Sequence, residues 1–253
     1  MTAMRTLAAF AMLAWTLVAG AGAPNHAPDY SREARWASEV VPQIVVGDAV
    51  WLDLQNRPRV LAIYTPPTGV TKGAIVIAHG LGVHPDWGLI GELRTKLADR
   101  GFATLAVQMP VLAADALRDD YLDLFGDASD RLAAAFAWLA AKGYPRVALA
   151  SHSMGASMAD AYVARGGTPV AWIPIGMLVD FTKPPRIPVL DVVAERDFPD
   201  ALKATKLRGL SVPRDRCTRR TTIGNTDHYM SGATTALADA IAAFLERVYA
   251  GLC

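Results

Sequence analysis

Five consecutive residues, Ser151-His152-Ser153-Met154-Gly155, set two hydroxyls and an imidazole between an apolar strand pattern and a helical one. A serine acts as a nucleophile when three demands are met. It needs exposure on a rigid platform, a base for its proton, and donors for the oxyanion that develops on the attacked carbonyl. A sharp strand-to-helix turn supplies the platform, provided the residues two before and two after the apex are small enough for strand and helix to pass. Ser153 stands at such an apex, flanked by Ser151 and Gly155. Ser151 lies on the strand side and His152 projects away from the Ser153 proton, so neither is expected to react.

The base must come from elsewhere in the chain. Of the five histidines, His26 lies near the start, His79 ends an early strand pattern, and His84 and His152 have other settings. His228, in TIGNTDHYM, follows a late strand pattern and precedes the last helical one. An acid is then needed to orient the imidazole and stabilise its charged form. Asp197, at the end of IPVLDVVAERDFP, falls just beyond a strand, whereas Asp191 is mid-strand and expected to be buried. Glu195 and Asp227 read as turn residues. Ile77-Ala78-His79-Gly80-Leu81-Gly82 ends a strand in His-Gly, where glycine relaxes the backbone at a turn.

The elements that must hold these groups alternate. From residue 43 onward short apolar runs alternate with longer helical patterns. QIVVG, AVWLDL and RVLAIYTPP lead as antiparallel strands, with Gln55 to Pro58 as a turn between the second and third. GAIVIAHG, FATLAVQMP, RVALAS, TPVAWIPIG, RIPVLDVVAE and CTRRTTIG follow, separated by helical stretches. Near-continuous apolar strands between helices imply a mostly parallel sheet covered on both faces. Asp86 is expected to cap the helix that starts near Trp87. Residues 110–127 form a long connection that either folds over the site or packs on the sheet. Only about ten residues join Gly176 to Arg186, too few for a separate lid domain.

This strand, Ser-His-Ser-Met-Gly turn and helix resemble the nucleophile elbow of the alpha/beta-hydrolase superfamily, with Ser151 where its first glycine usually stands. The order Ser153, Asp197, His228 is the one expected of that superfamily. The resemblance implies that the backbone amides of Leu81 and Met154 form the oxyanion hole and that His79 is structural. Asp180, after the preceding strand, is the alternative acid, because some relatives take theirs from there. The stretch from HGLGVHPDWGLIGELR to GFATLAVQMPVL is similar to exported bacterial hydrolases whose function is generally unassigned. The likeness covers roughly residues 48–250 and is silent on substrate.

Composition narrows the remaining classes. Of 253 residues, 52% are hydrophobic and 19% charged, enough apolar material for a large core. A formal charge of +1 gives no electrostatic case for nucleic acid or an anionic membrane. No Cys/His cluster has metal-ligand spacing and no glycine-rich phosphate loop follows a strand, so neither metal nor cofactor is expected. Arg5, the apolar run Leu7 to Val18 and the small residues after it have the layout of a secretory signal over residues 1–21, cleaved after Ala21. Residues 22–42 would then be an N-terminal extension and 43–253 a single hydrolase domain with no stable membrane span, in the periplasm or secreted. Export permits Cys217 and Cys253, the only two cysteines, to pair, or they remain thiols. The expected function is a serine hydrolase, carboxylesterase-like, cleaving an ester or related acyl bond of a small-molecule or lipid-like substrate through an acyl-enzyme. The alternatives are a non-catalytic envelope protein that binds on the same fold, and an acyltransferase using the same triad.

Overall fold

The computed structural model describes residues 26–211 and 217–253. Eight strands form one sheet in the order β1-β2-β4-β3-β5-β6-β7-β8. β1 (Asp48–Leu54) and β2 (Arg57–Thr65) make an antiparallel hairpin, and β2 runs antiparallel to β4 (Phe102–Val107). From β4 through β3 (Gly73–Ala78), β5 (Val147–His152), β6 (Trp172–Ile175) and β7 (Leu190–Arg196) to β8 (Arg219–Asp227), all neighbours are parallel. The signal segment expected over residues 1–21 lies outside the described residues.

Strand side chains alternate between two cores, as a period of two requires. Ile75 and Ile77 of β3, with Ala148 and Ala150 of β5, pack with α2 (Gly88–Ala98) and α6 (Thr234–Tyr249). Ala74, Val76 and Ala78, with Val147 and Leu149, pack on the other face with α3 (Phe125–Ala141) and α4 (Met154–Ala164). Both faces are covered, so β3, β4 and β5 are almost wholly buried and mostly apolar. Their C-terminal ends all open on one edge of the sheet, where ligands bind in folds of this kind.

Three features differ from the sequence reading. QIVVG is not a strand: Val41–Gln43 is a turn of 3-10 helix, and Val45 and Val46 are left exposed without sheet partners. Pro42 removes a donor there and Gly47 bends the chain, so the apolar character of the run is not matched by pairing. The hairpin turn is tighter than expected, Gln55-Asn56, with Asn56 at φ 56°, and Arg57 and Pro58 already belong to β2. Asp86 does not cap α2. The N-cap is Trp87 without a side-chain bond, and Asp86 instead receives two hydrogen bonds from Arg94, at 2.9 and 2.6 Å.

Two helices went unforeseen. α1 (Tyr30–Val40) lies within the stretch expected as an extension, begins at an Asp29 side-chain cap, and packs Ala37 and Val40 on Leu61 and Ile63 of β2. Its Glu33 is buried against Arg131 of α3 at 2.9 Å. α5 (Pro199–Ser211) follows β7, with Pro199 at its first position, where a missing N–H costs nothing.

Residues 110–127 pack rather than cover. Leu112, Tyr121 and Leu124 join the α3-side core, and the Tyr121 hydroxyl accepts the Leu112 N–H at 3.1 Å, while Leu117 and Leu122 stay in solvent. After β6 the chain runs from Gly176 to Pro188 without a helix or strand, so no lid domain interrupts the fold there. Cys217 and Cys253 form a disulfide with Cα atoms 5.3 Å apart, tying the last residue to the foot of β8.

Candidate active site

Ser153 sits between the end of β5 and the first residue of α4 with φ 54° and ψ −120°, a region non-glycine residues rarely occupy. The turn is possible because Gly155 passes directly against the His79 carbonyl, where a Cβ would collide. Ser151, in place of the usual glycine, is used rather than merely tolerated. It is buried, and its Oγ accepts the indole N–H of Trp172 at 2.9 Å.

Three side chains from three loops then form a relay. Ser153 Oγ lies 2.9 Å from His228 Nε2, and His228 Nδ1 lies 2.6 Å from Asp197 Oδ1. Asp197 can only accept from an imidazole, so Nδ1 carries the proton and Nε2 is free to accept the serine hydrogen. Burial opposes ionisation of Asp197. The His228 hydrogen bond and the amides of Ala194 and Phe198, at 3.1 and 2.8 Å, outweigh it and hold the carboxyl below its ordinary value. Asp180, the alternative acid, is exposed and accepts its neighbour Phe181's amide at 2.8 Å. It makes no bond to His228 among the described residues. Asp191 is buried and paired with Arg208, and Asp227 accepts the Tyr229 and Ser231 amides as a turn residue.

The other two histidines near the turn are structural. His152 donates from Nε2 to the His228 carbonyl at 2.9 Å, and burial with the adjacent His228 pushes its pKa down to about 4. His79 donates from Nδ1 to the Gly80 carbonyl at 2.8 Å and accepts the Met109 amide at 2.9 Å; burial lowers its pKa to about 3. It thereby holds the turn that carries Leu81. Neither the Leu81 nor the Met154 N–H has an internal acceptor among the described residues. Met154 is also the first residue of α4, so its amide carries the positive end of the helix dipole.

Two contributors were not found from sequence. Gly176, after β6 at φ 58°, packs on His228, where a Cβ would stand 3.0 Å from both Cε1 and Nδ1. Its signal was a glycine ending an apolar strand. Phe198 stacks on the imidazole with centroids 4.1 Å apart, and no sequence pattern reveals that contact. Among the described residues no group of three or more metal-binding side chains converges.

This topology, with a strained serine at the end of β5 and an acid and a histidine after β7 and β8, defines the alpha/beta-hydrolase fold. Solved structures agree. An alpha-beta serine hydrolase homologue from Coxiella burnetii superposes with TM-score 0.64 at 14% identity, covering 79% of this chain and 98% of its own. A serine hydrolase without lid from Xanthomonas campestris gives 0.64 at 19%, covering 81% and 95%. Dienelactone hydrolase from Anabaena variabilis gives 0.62 at 21%, covering 78% and 95%. At these identities the likeness concerns the fold. A family model described as "Protein of unknown function (DUF3530)" matches residues 16–122. No curated protein matches the chain.

Proposed function

We propose that the protein is a serine hydrolase that cleaves ester bonds through Ser153, His228 and Asp197. The observation that carries this reading is the unbroken 2.9 and 2.6 Å relay from the serine hydroxyl through one imidazole to a buried carboxylate. Ser153 Oγ attacks the carbonyl carbon as His228 Nε2 takes its proton, and the Leu81 and Met154 amides donate hydrogen bonds to the oxyanion. The tetrahedral intermediate expels the alcohol, which leaves with the proton from His228. Water then gives a proton to the same nitrogen and attacks the acyl-enzyme, releasing the acid and restoring the serine. Asp197 keeps the imidazole in the required tautomer throughout.

Export fits the same reading. The Cys217–Cys253 disulfide is consistent with an oxidising compartment, and the sequence of residues 1–21 has the layout of a cleavable signal. No described helix is long and apolar enough to cross a membrane.

The test is a fluorophosphonate probe together with a chromogenic ester panel of varied acyl length, on wild type and Ser153→Ala. Labelling and turnover in the wild type, both absent in the variant, support the enzyme. A folded wild type that neither labels nor turns over removes it, and acyl products formed only with added alcohols would make it a transferase.

A further inference from the structure

Rings crowd the histidine side of the site. Phe198 stacks on His228 at 4.1 Å with the planes 21° apart. Tyr229 stands edge-on to His228 at 5.4 Å and to Phe198 at 6.3 Å, and Trp87 stands edge-on to Tyr229 at 5.9 Å. The three come from separate segments: the turn after β7, the loop after β8 and the N-cap of α2. Phe198 and Tyr229 are 43% and 48% exposed, and Trp87 is half-buried. Contiguous rings left open to water offer apolar area that a ligand can still cover.

The chemistry fixes which part of a substrate meets them. His228 Nε2 must hand its proton to the departing oxygen, so that oxygen comes within hydrogen-bond reach of the imidazole. The carbonyl oxygen is meanwhile directed to the Leu81 and Met154 amides. His152 and Gly176 on the imidazole's other sides are covered by the fold, so the group carried on the departing oxygen meets the exposed rings beside it, Phe198 and Tyr229, and beyond them Trp87.

Resting on the triad reading, we infer that Phe198, Tyr229 and Trp87 form a leaving-group subsite for aromatic alcohols, making esters of ring-bearing alcohols the substrate class. No formal charge stands in this wall, and its edge-to-face packing leaves ring surface on which another ring can stack.

The experiment compares kcat/KM for benzyl, cyclohexylmethyl and methyl butyrate, which share one acyl group and have alcohols of similar acidity. Wild type is expected to favour benzyl over methyl by about tenfold and over cyclohexylmethyl by about threefold. Tyr229→Ala and Trp87→Ala each lower the benzyl-to-methyl ratio by about three- to tenfold, and Tyr229→Phe retains it. The ratio is independent of the folded fraction, so a poorly folding variant still reports. Equal rates for benzyl and cyclohexylmethyl esters, or a ratio unchanged in both alanine variants, overturn the subsite. If Ser153 still labels with fluorophosphonate in that case, the triad stands and only the subsite falls. Absence of labelling and of all turnover removes both.

Discussion

Gly176 has no functional group, yet it limits where the His228 imidazole can be. Its backbone adopts φ 58° and its Cα faces His228 so closely that a methyl would stand 3.0 Å from two ring atoms and 3.3 Å from Asp197 Oδ2. Gly176→Ala is expected to push the imidazole off the serine by a fraction of an ångström to an ångström. Misplacement on that scale costs about 100-fold in rate, so kcat falls by that order while folding is retained. Normal kcat in a correctly folded Gly176→Ala protein would show that the imidazole tolerates displacement. Asp197→Asn acts on the same ring differently: it leaves the position but favours the wrong tautomer, and kcat/KM for a chromogenic ester should drop by about 10,000-fold.

Between elements, one arginine sets the loop that carries Gly176. Arg208 of α5 reaches the buried Asp191 of β7 through Nε and Nη2, at 3.0 and 2.8 Å. Its Nη1 donates to the carbonyls of Met177 and Val179, at 3.0 and 2.5 Å. Thr205 completes the carboxylate's shell at 2.7 Å. A helix, a strand and the segment after β6 are thereby held on one guanidinium. Arg208→Leu leaves Asp191 as a buried charge without its counter-ion, and the loss in urea unfolding should reach about 3–5 kcal/mol. Arg208→Leu with Asp191→Leu should recover most of it, because no charge is then stranded. A single variant as stable as wild type would mean that water already reaches Asp191.

At the scale of the whole molecule, two buried neutral histidines make the fold sensitive to acid. His79 and His152 titrate at about 3 and about 4 in the folded chain, against 6.5 when unfolded. Between pH 6.5 and 4 the unfolded chain therefore binds protons that the native one refuses, and stability falls as pH falls. Each histidine contributes a slope of up to about 1.4 kcal/mol per pH unit in that window. Glu33, raised by burial from 4.5, acts in the opposite sense from that value upward. His152→Asn should flatten the urea midpoint against pH by one histidine's share, and an unchanged slope would assign the sensitivity elsewhere. The Cys217–Cys253 bond closes a separation of 36 residues, which in the chain-entropy picture is worth about 4 kcal/mol. Reduction, or Cys217→Ser with Cys253→Ser, should lower unfolding stability by about that amount.

What the sequence determined by itself was local or periodic. Apolar runs alternating with helical stretches specified the sheet, and small residues around Ser153 marked the turn, because both follow from steric rules acting within a few residues. His228 was legible because it lies between the last strand and the last helix. α1 and α5 were missed although Asp29 and Pro199 signalled their starts: both are polar overall, and the apolar face of α1 rests on few residues, Ala37 and Val40 among them. Which of Asp197 and Asp180 reaches His228 is decided only in the folded chain, since both follow strands and only three-dimensional distance separates a carboxylate on Nδ1 from one in solvent. The use of Ser151 by Trp172, the seat of His228 on Gly176 and the ring wall beside it are also decided only in the tertiary structure. Each joins residues that are far apart in the chain and adjacent only when β5, β6, β7 and β8 align their ends, and no spacing along a sequence encodes that alignment.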